Sequence, residues 1–267
     1  MLYKRFFILL RKYHVSNVVI KTFSHMKKIT LLFSVLICGQ LLVAQGFKKE
    51  VPLVKYSAAK VVDPVYGITM YEKLNAKTGG DSVRHDRKGY ACQEWVTDVY
   101  ESGKILHKGY YEDGQLKLYK NFYENGVVER SFKQIDFKRC NMQIFYPDGK
   151  LKSEITYYDG GAQVWTDYYP NGQIEYYEEN TKDMEYLIAR KSYAENGKPQ
   201  ELFELVDPKK KKYSKKEYNE AGKLVAEGPM RYNASMLDYQ KDGTWTVYDE
   251  KGNSKKEKYV KGEEIKD

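Results

Sequence analysis

The chain has 267 residues, 42% of them hydrophobic and 15% aromatic, with 26 tyrosines; this excludes a disordered polymer and suffices for one large folded domain or two. Its formal charge of +8 is concentrated at one end: residues 1–44 carry seven Lys and Arg and no Asp or Glu, which leaves 38 basic against 37 acidic residues downstream. The nearly neutral body gives no electrostatic ground for a nucleic-acid partner or an anionic membrane surface.

From Met26 the sequence reads MKKITLLFSVLICGQLLVAQG: two lysines, an uncharged apolar run from Ile29 to Ala44, and a small-residue exit. This is the layout of a secretory signal peptide. As a helix the run would rise about 24 Å against a hydrocarbon core of ~30 Å, so an anchor is the weaker reading and no stable membrane span is expected after cleavage. Met26 is the expected initiator and Ala44 or Gln45 the expected cleavage point; Ile37 before Cys38 fits a lipidation motif poorly. The chain is thus expected to be exported from a Gram-negative cell, into the periplasm, the outer membrane or the medium.

Residues 45–88 contain strand-like pieces and the Gly79–Gly80 turn, and are expected to form a capping segment whose first residues are disordered. Downstream of the leader only Cys92 and Cys140 remain. In an exported protein they can pair, which would contribute about 4 kcal/mol in the chain-entropy model, or stay as two buried thiols. Both outcomes stand open.

Residues 89–267 repeat. Aligned on glycine they give VYESGKI, YYEDGQL, FYENGVV, FYPDGKL, YYDGGAQ, YYPNGQI, SYAENGKP, EYNEAGKL and VYDEKGNS, with turn glycines assigned to Gly103, Gly114, Gly126, Gly149, Gly161, Gly172, Gly197, Gly222 and Gly252. Gly103, Gly126, Gly149 and Gly172 recur every 23 residues, and Gly114 and Gly161 fall midway. The residue four before the glycine is aromatic in eight of nine units (Val99 is the exception), and the residue two after it is aliphatic in six. Pro147 and Pro170 cannot take the positive φ of a two-residue type I′ turn. A three-residue loop accommodates them, with Pro first, Asn or Asp second and a left-handed Gly closing a bulge. This register sets Tyr168 opposite Ile174 and Phe145 opposite Leu151, as core-facing pairs. One hairpin is marginal alone, so the expected fold is all-β: an elongated antiparallel sheet of stacked hairpins.

Strand alternation then turns the second tyrosine of each doublet outward. Tyr111, Tyr123, Tyr146, Tyr158 and Tyr169 would form an exposed stripe able to contact a protein or stack on sugar rings. The unit YYPNGQI, the period and the C-terminal stretch DGTWTVYDEKGNSKKEKYVKGEEI resemble the MORN-repeat-variant family over about residues 89–265. The resemblance implies an interaction scaffold without a shared catalytic set. It also points to exported repeat proteins of Bacteroidetes-type bacteria and to proteins labelled antitoxins by homology.

Catalytic patterns are missing from the sequence: there is no GxSxG, Walker, HExxH or CxxC motif, and His85 and His107 have no metal-ligand spacing. No enzyme, cofactor or metal is expected. The function expected is a non-enzymatic, exported scaffold for a protein partner in the cell envelope. The alternatives are a glycan-binding module using the tyrosine stripe and an antitoxin- or immunity-like binding protein.

Overall fold

The computed structural model describes residues 55–265. The signal region 1–44 with Met26 and Cys38, and the first residues of the following segment, lie outside them. The described residues form one 17-stranded sheet. Its strands are β1 (Lys55–Tyr56), β2 (Glu94–Tyr100), β3 (Ile105–Glu112), β4 (Gln115–Phe122), β5 (Val128–Gln134), β6 (Arg139–Phe145), β7 (Leu151–Tyr158), β8 (Gly161–Tyr168) and β9 (Ile174–Asn180). It continues through β10 (Leu187–Tyr193), β11 (Pro199–Asp207), β12 (Lys212–Tyr218), β13 (Leu224–Asn233), β14 (Asp238–Lys241), β15 (Gly243–Tyr248), β16 (Ser254–Val260) and β17 (Glu263–Ile265). β1 runs parallel to β2. From β2 onward each strand pairs antiparallel with its successor, except that β13 is long enough to pair with both β14 and β15. The molecule is an all-β stack of hairpins.

The turns at the two edges differ. After β4, Tyr123 N–H donates to the Val127 carbonyl and Gly126 N–H to the Tyr123 carbonyl, both at 2.8 Å, with Gly126 at φ 89°. The Asn125 side chain accepts from Val127 N–H at 3.0 Å and holds the loop closed. This three-residue turn recurs at Gly103, Gly149, Gly172, Gly197, Gly222 and Gly252. The expected pairs Phe145–Leu151 and Tyr168–Ile174 are formed.

The other edge departs from expectation. Asp113 (φ 49°) and Gly114 (φ 75°) make a two-residue turn, as do Asp159 (φ 50°) and Gly160 (φ 90°). Both central residues take positive φ, the type I′ pattern that Asp-Gly favours. Gly160, and not Gly161, is therefore the turn glycine, and Gly161 opens β8. The shorter loop moves the register by one residue, so Tyr111, not Tyr110, faces Leu116.

The core also sits elsewhere than expected. Ile174 is 40% exposed, and Tyr168 and Phe145 are only half-buried. Among the fully buried rings, Tyr111, Tyr119 and Phe132 are joined by Met142 and Ile155 on one sheet face. That face is covered by residues 57–91: a short helix (Ala58–Val61), two 3-10 turns (Glu72–Leu74 and Ala76–Thr78), and Ile68, Tyr71 and Leu74 packed on the sheet. Burying side chains of this size stabilises by about 1.5–3 kcal/mol each. A second cluster, Leu187, Phe203, Tyr213, Ala226, Met230 and Trp245, forms where the C-terminal strands meet.

Candidate functional site

The tyrosine stripe proves to be part of the scaffold. Tyr123 donates its hydroxyl to the Phe145 carbonyl at 2.9 Å, Tyr146 to the Tyr168 carbonyl at 2.6 Å and Tyr169 to the Tyr193 carbonyl at 2.8 Å. Tyr100, which sequence reasoning missed, does the same to Phe122 at 2.7 Å. The ladder is reinforced between turns: Asn125 Nδ2 donates to the Pro147 carbonyl, and Asn171 Nδ2 to that of Glu195. Burial pushes the Tyr123 hydroxyl up to about 12, and Tyr146 and Tyr169 rise for the same reason.

Tyr111 is not on a stripe at all. It is 0% exposed, because the two-residue turn after it flips its face inward. Tyr158 stands half-buried on the opposite edge with Lys138 Nζ 5.4 Å above its ring. Cys92 and Cys140 are free, buried thiols, so the pairing alternative is not realised. The carbonyl of Cys92 accepts from Gly114 N–H at the β3–β4 turn, whereas Cys140 lies in β6. Two strand spacings, roughly 10 Å, exceed the Cα span of a disulfide.

Under the covering segment lies a polar network. Asp98 receives Arg84 Nη2 at 2.6 Å and the Tyr71 hydroxyl at 2.6 Å. The Tyr71 ring stacks on His107 with centroids 3.7 Å apart. His107 Nδ1 is 2.7 Å from Asn121 Oδ1, while Asn121 Nδ2 donates to the Ile68 carbonyl. Nδ1 therefore carries the proton, and Nε2 accepts from the Tyr111 hydroxyl at 2.9 Å. Burial lowers His107 to about 4, against the bond to Asn121 that would raise it. Glu129 is pushed up to about 7 by burial, and its Oε2 has no hydrogen-bond partner among the described residues. Every polar group here is turned toward the covering segment or its supports, so the network is a clasp. Among the described residues no group of three His, Cys, Asp or Glu side chains is placed to hold a metal.

The clasp uses a repeated device. In six of the three-residue hairpins the second strand has one unpaired residue: Leu106, Glu129, Lys152, Glu175, Gln200 and Val225. The bulge brings that residue and its successor to the same face. Leu106 with His107, and Glu129 with Arg130, are accordingly all buried under the segment. Farther along, the same face is left open over β8 to β10, up to Phe203 of β11, which is buried in the second cluster. There Trp165, 37% exposed, meets Tyr176 edge-on at 6.0 Å. Its indole N–H donates to Asp167 at 2.7 Å, and the Tyr176 hydroxyl donates to Glu178.

The fold and this face define a repeat protein whose surface is built from stacked hairpins. Residues 141–158 and 164–183, within hairpins β6 to β9, match the family model described as MORN repeat variant. No curated protein matches the chain. A solved structure described as the crystal structure of TarM is 12% identical, with 47% of this chain and 19% of that chain covered and a TM-score of 0.20; this likeness carries no argument about fold or function. The chain thus spans about a fifth of that protein's length.

Proposed function

We propose that the protein is an exported, non-enzymatic repeat scaffold that binds another protein in the cell envelope. The observation that carries this reading is the face shared by the hairpins. Over β2 to β7 it is occupied by residues of the same chain, and over β8 to β10 it stays open with an aromatic pair among charged groups. Half-exposed aromatics of this kind are favoured at protein interfaces. Export is supported by the leader-like run Ile29–Ala44, and the scaffold class by the MORN-variant repeats. The glycan alternative loses its main support, because the hydroxyls of Tyr123, Tyr146 and Tyr169 are spent on neighbouring turns. N-terminal sequencing of the protein from the envelope fraction should begin near Gln45, and photo-crosslinkers set on both sheet faces should trap a protein. A cytoplasmic product with Met26 intact, or no crosslinked protein from either face, would sink the reading.

A further inference from the structure

The bulge positions read peptide backbone. Where the segment crosses the sheet, Glu129 Oε1 accepts from Ile68 N–H at 3.1 Å, Arg130 Nη2 donates to the Tyr66 carbonyl at 3.0 Å and Lys152 Nζ donates to the Val65 carbonyl at 2.7 Å. Three side chains from two successive repeats thus hold main-chain groups of residues 65–68, whatever their side chains. Val65 and Tyr66 lie within a turn that Asp63 and Gly67 close by exchanging backbone hydrogen bonds. The next repeat carries Glu175 and Tyr176 at the same two positions. Among the described residues, nothing from the covering segment bonds to either.

The open strip has a definite charge. Asp167, Glu175 and Glu178 make no ion pair among the described residues, whereas Arg190, across the strip, is already matched by Glu201 at 3.2 Å. Trp165 supplies the second, independent sign. Trp95 has Lys108 Nζ 5.2 Å from its ring centroid, and Trp245 has Lys241 Nζ at 4.1 Å. Trp165 has no cation over it among the described residues, although its ring is exposed beside the carboxylates of Asp167 and Glu178. An indole face flanked by anions is where a lysine or arginine side chain gains most.

We infer that β8 to β10 form a docking strip for a lysine- or arginine-bearing segment of a partner protein. Glu175 takes a main-chain N–H of that segment as Glu129 takes that of Ile68, and Trp165 with Asp167 and Glu178 receives the segment's cationic side chain. Two strand spacings make the strip about 10 Å wide, room for roughly three residues of extended chain. The inference rests on the scaffold reading above and names the site and the chemistry of the partner.

The test is fluorescence anisotropy with the full chain and a labelled short peptide of alternating lysine and serine, beside one of alternating glutamate and serine. The lysine peptide should bind saturably and the glutamate peptide should not. Glu175→Lys should weaken binding about tenfold and Trp165→Ala several-fold, whereas Glu250→Lys, the same charge change on an exposed turn far along the chain, should leave it unchanged. Unchanged thermal melting of Glu175→Lys excludes unfolding as the cause. Absence of saturable binding, or equal weakening by Glu175→Lys and Glu250→Lys, overturns the strip. Photo-crosslinkers at Glu175 and at Thr166, on the opposite face, separate the two levels. A basic partner peptide trapped from Glu175 supports the strip, and a protein trapped only from Thr166 overturns it while leaving the scaffold reading intact. No product from either position overturns both.

Discussion

Tyr146 and Tyr168 belong to different repeats, yet the hydroxyl of the first donates to the main-chain carbonyl of the second at 2.6 Å. The residue that looked free to meet a ligand is bound to the next turn. Tyr146→Phe, which removes only the oxygen, should destabilise the fold by about 1 kcal/mol in urea unfolding. A midpoint identical to the wild type would mean that the ladder adds nothing.

The reassigned turn gives a sharper contrast. Gly160 sits at φ 90°, where an L-residue is strained, and an alanine there should cost about 1–2 kcal/mol. At Gly161 a new methyl would meet only the flexible end of Met184, so Gly161→Ala should be the milder of the two in thermal denaturation. The reverse order would restore the assignment made from sequence spacing. Gly172→Val, at φ 86° with a β-branched side chain, should be worse than either alanine.

Two buried groups pull stability in opposite directions with pH. His107 falls from 6.5 to about 4 on folding, so between those values the unfolded chain takes up a proton that the folded chain refuses, and acidification destabilises. Glu129 rises from 4.5 to about 7, so across that interval the folded chain keeps a proton that the unfolded chain has released. Its contribution is lost as pH rises through the window. In the wild type the two effects offset each other between about pH 4.5 and 6.5. Glu129→Gln should expose the histidine slope, with the melting temperature dropping more steeply than in the wild type as pH is lowered from about 6.5 to 4. Parallel profiles would contradict the assignment.

The clasp can be opened from one side. Arg84→Met leaves the buried Asp98 carboxylate without its cation and should cost about 3–5 kcal/mol. Tyr71→Phe removes one bond to a charged acceptor and should cost about 1.5–3 kcal/mol. In both variants tryptic cleavage at Lys73 and Lys77 should speed up before the sheet itself is cut. Equal cleavage rates in wild type and variants would show that residues 57–91 are held by apolar packing alone.

What could be read from the sequence was what the chain settles locally. Pro170 forbids a two-residue turn, and the pairing of Tyr168 with Ile174 follows without knowledge of the rest of the fold. Asp113–Gly114 carried an equally local signal for the shorter turn, and applying the three-residue register there put Tyr111 on the wrong face. Tyr100 was missed because Val99 precedes it and breaks the aromatic doublet used to find the others. The core was not legible, since burial of Tyr119 and Phe132 depends on a non-repeating segment crossing strands up to 87 residues away. The same holds for the open strip: Glu175 and Tyr176 differ from Glu129 and Arg130 less in sequence than in what lies over them.

The tyrosine ladder has a direction. Each hydroxyl reaches forward, to a carbonyl 22 to 24 residues later, and the series stops at Ala194, where the next ring would stand. A nascent chain emerging N-terminus first therefore presents each donor before its acceptor, and every newly made hairpin latches the one already folded. Deleting a repeat from the C-terminal side strands a donor, whereas deleting one from the N-terminal side leaves a carbonyl that water can satisfy, so the array is assembled, and can be shortened, with a built-in polarity.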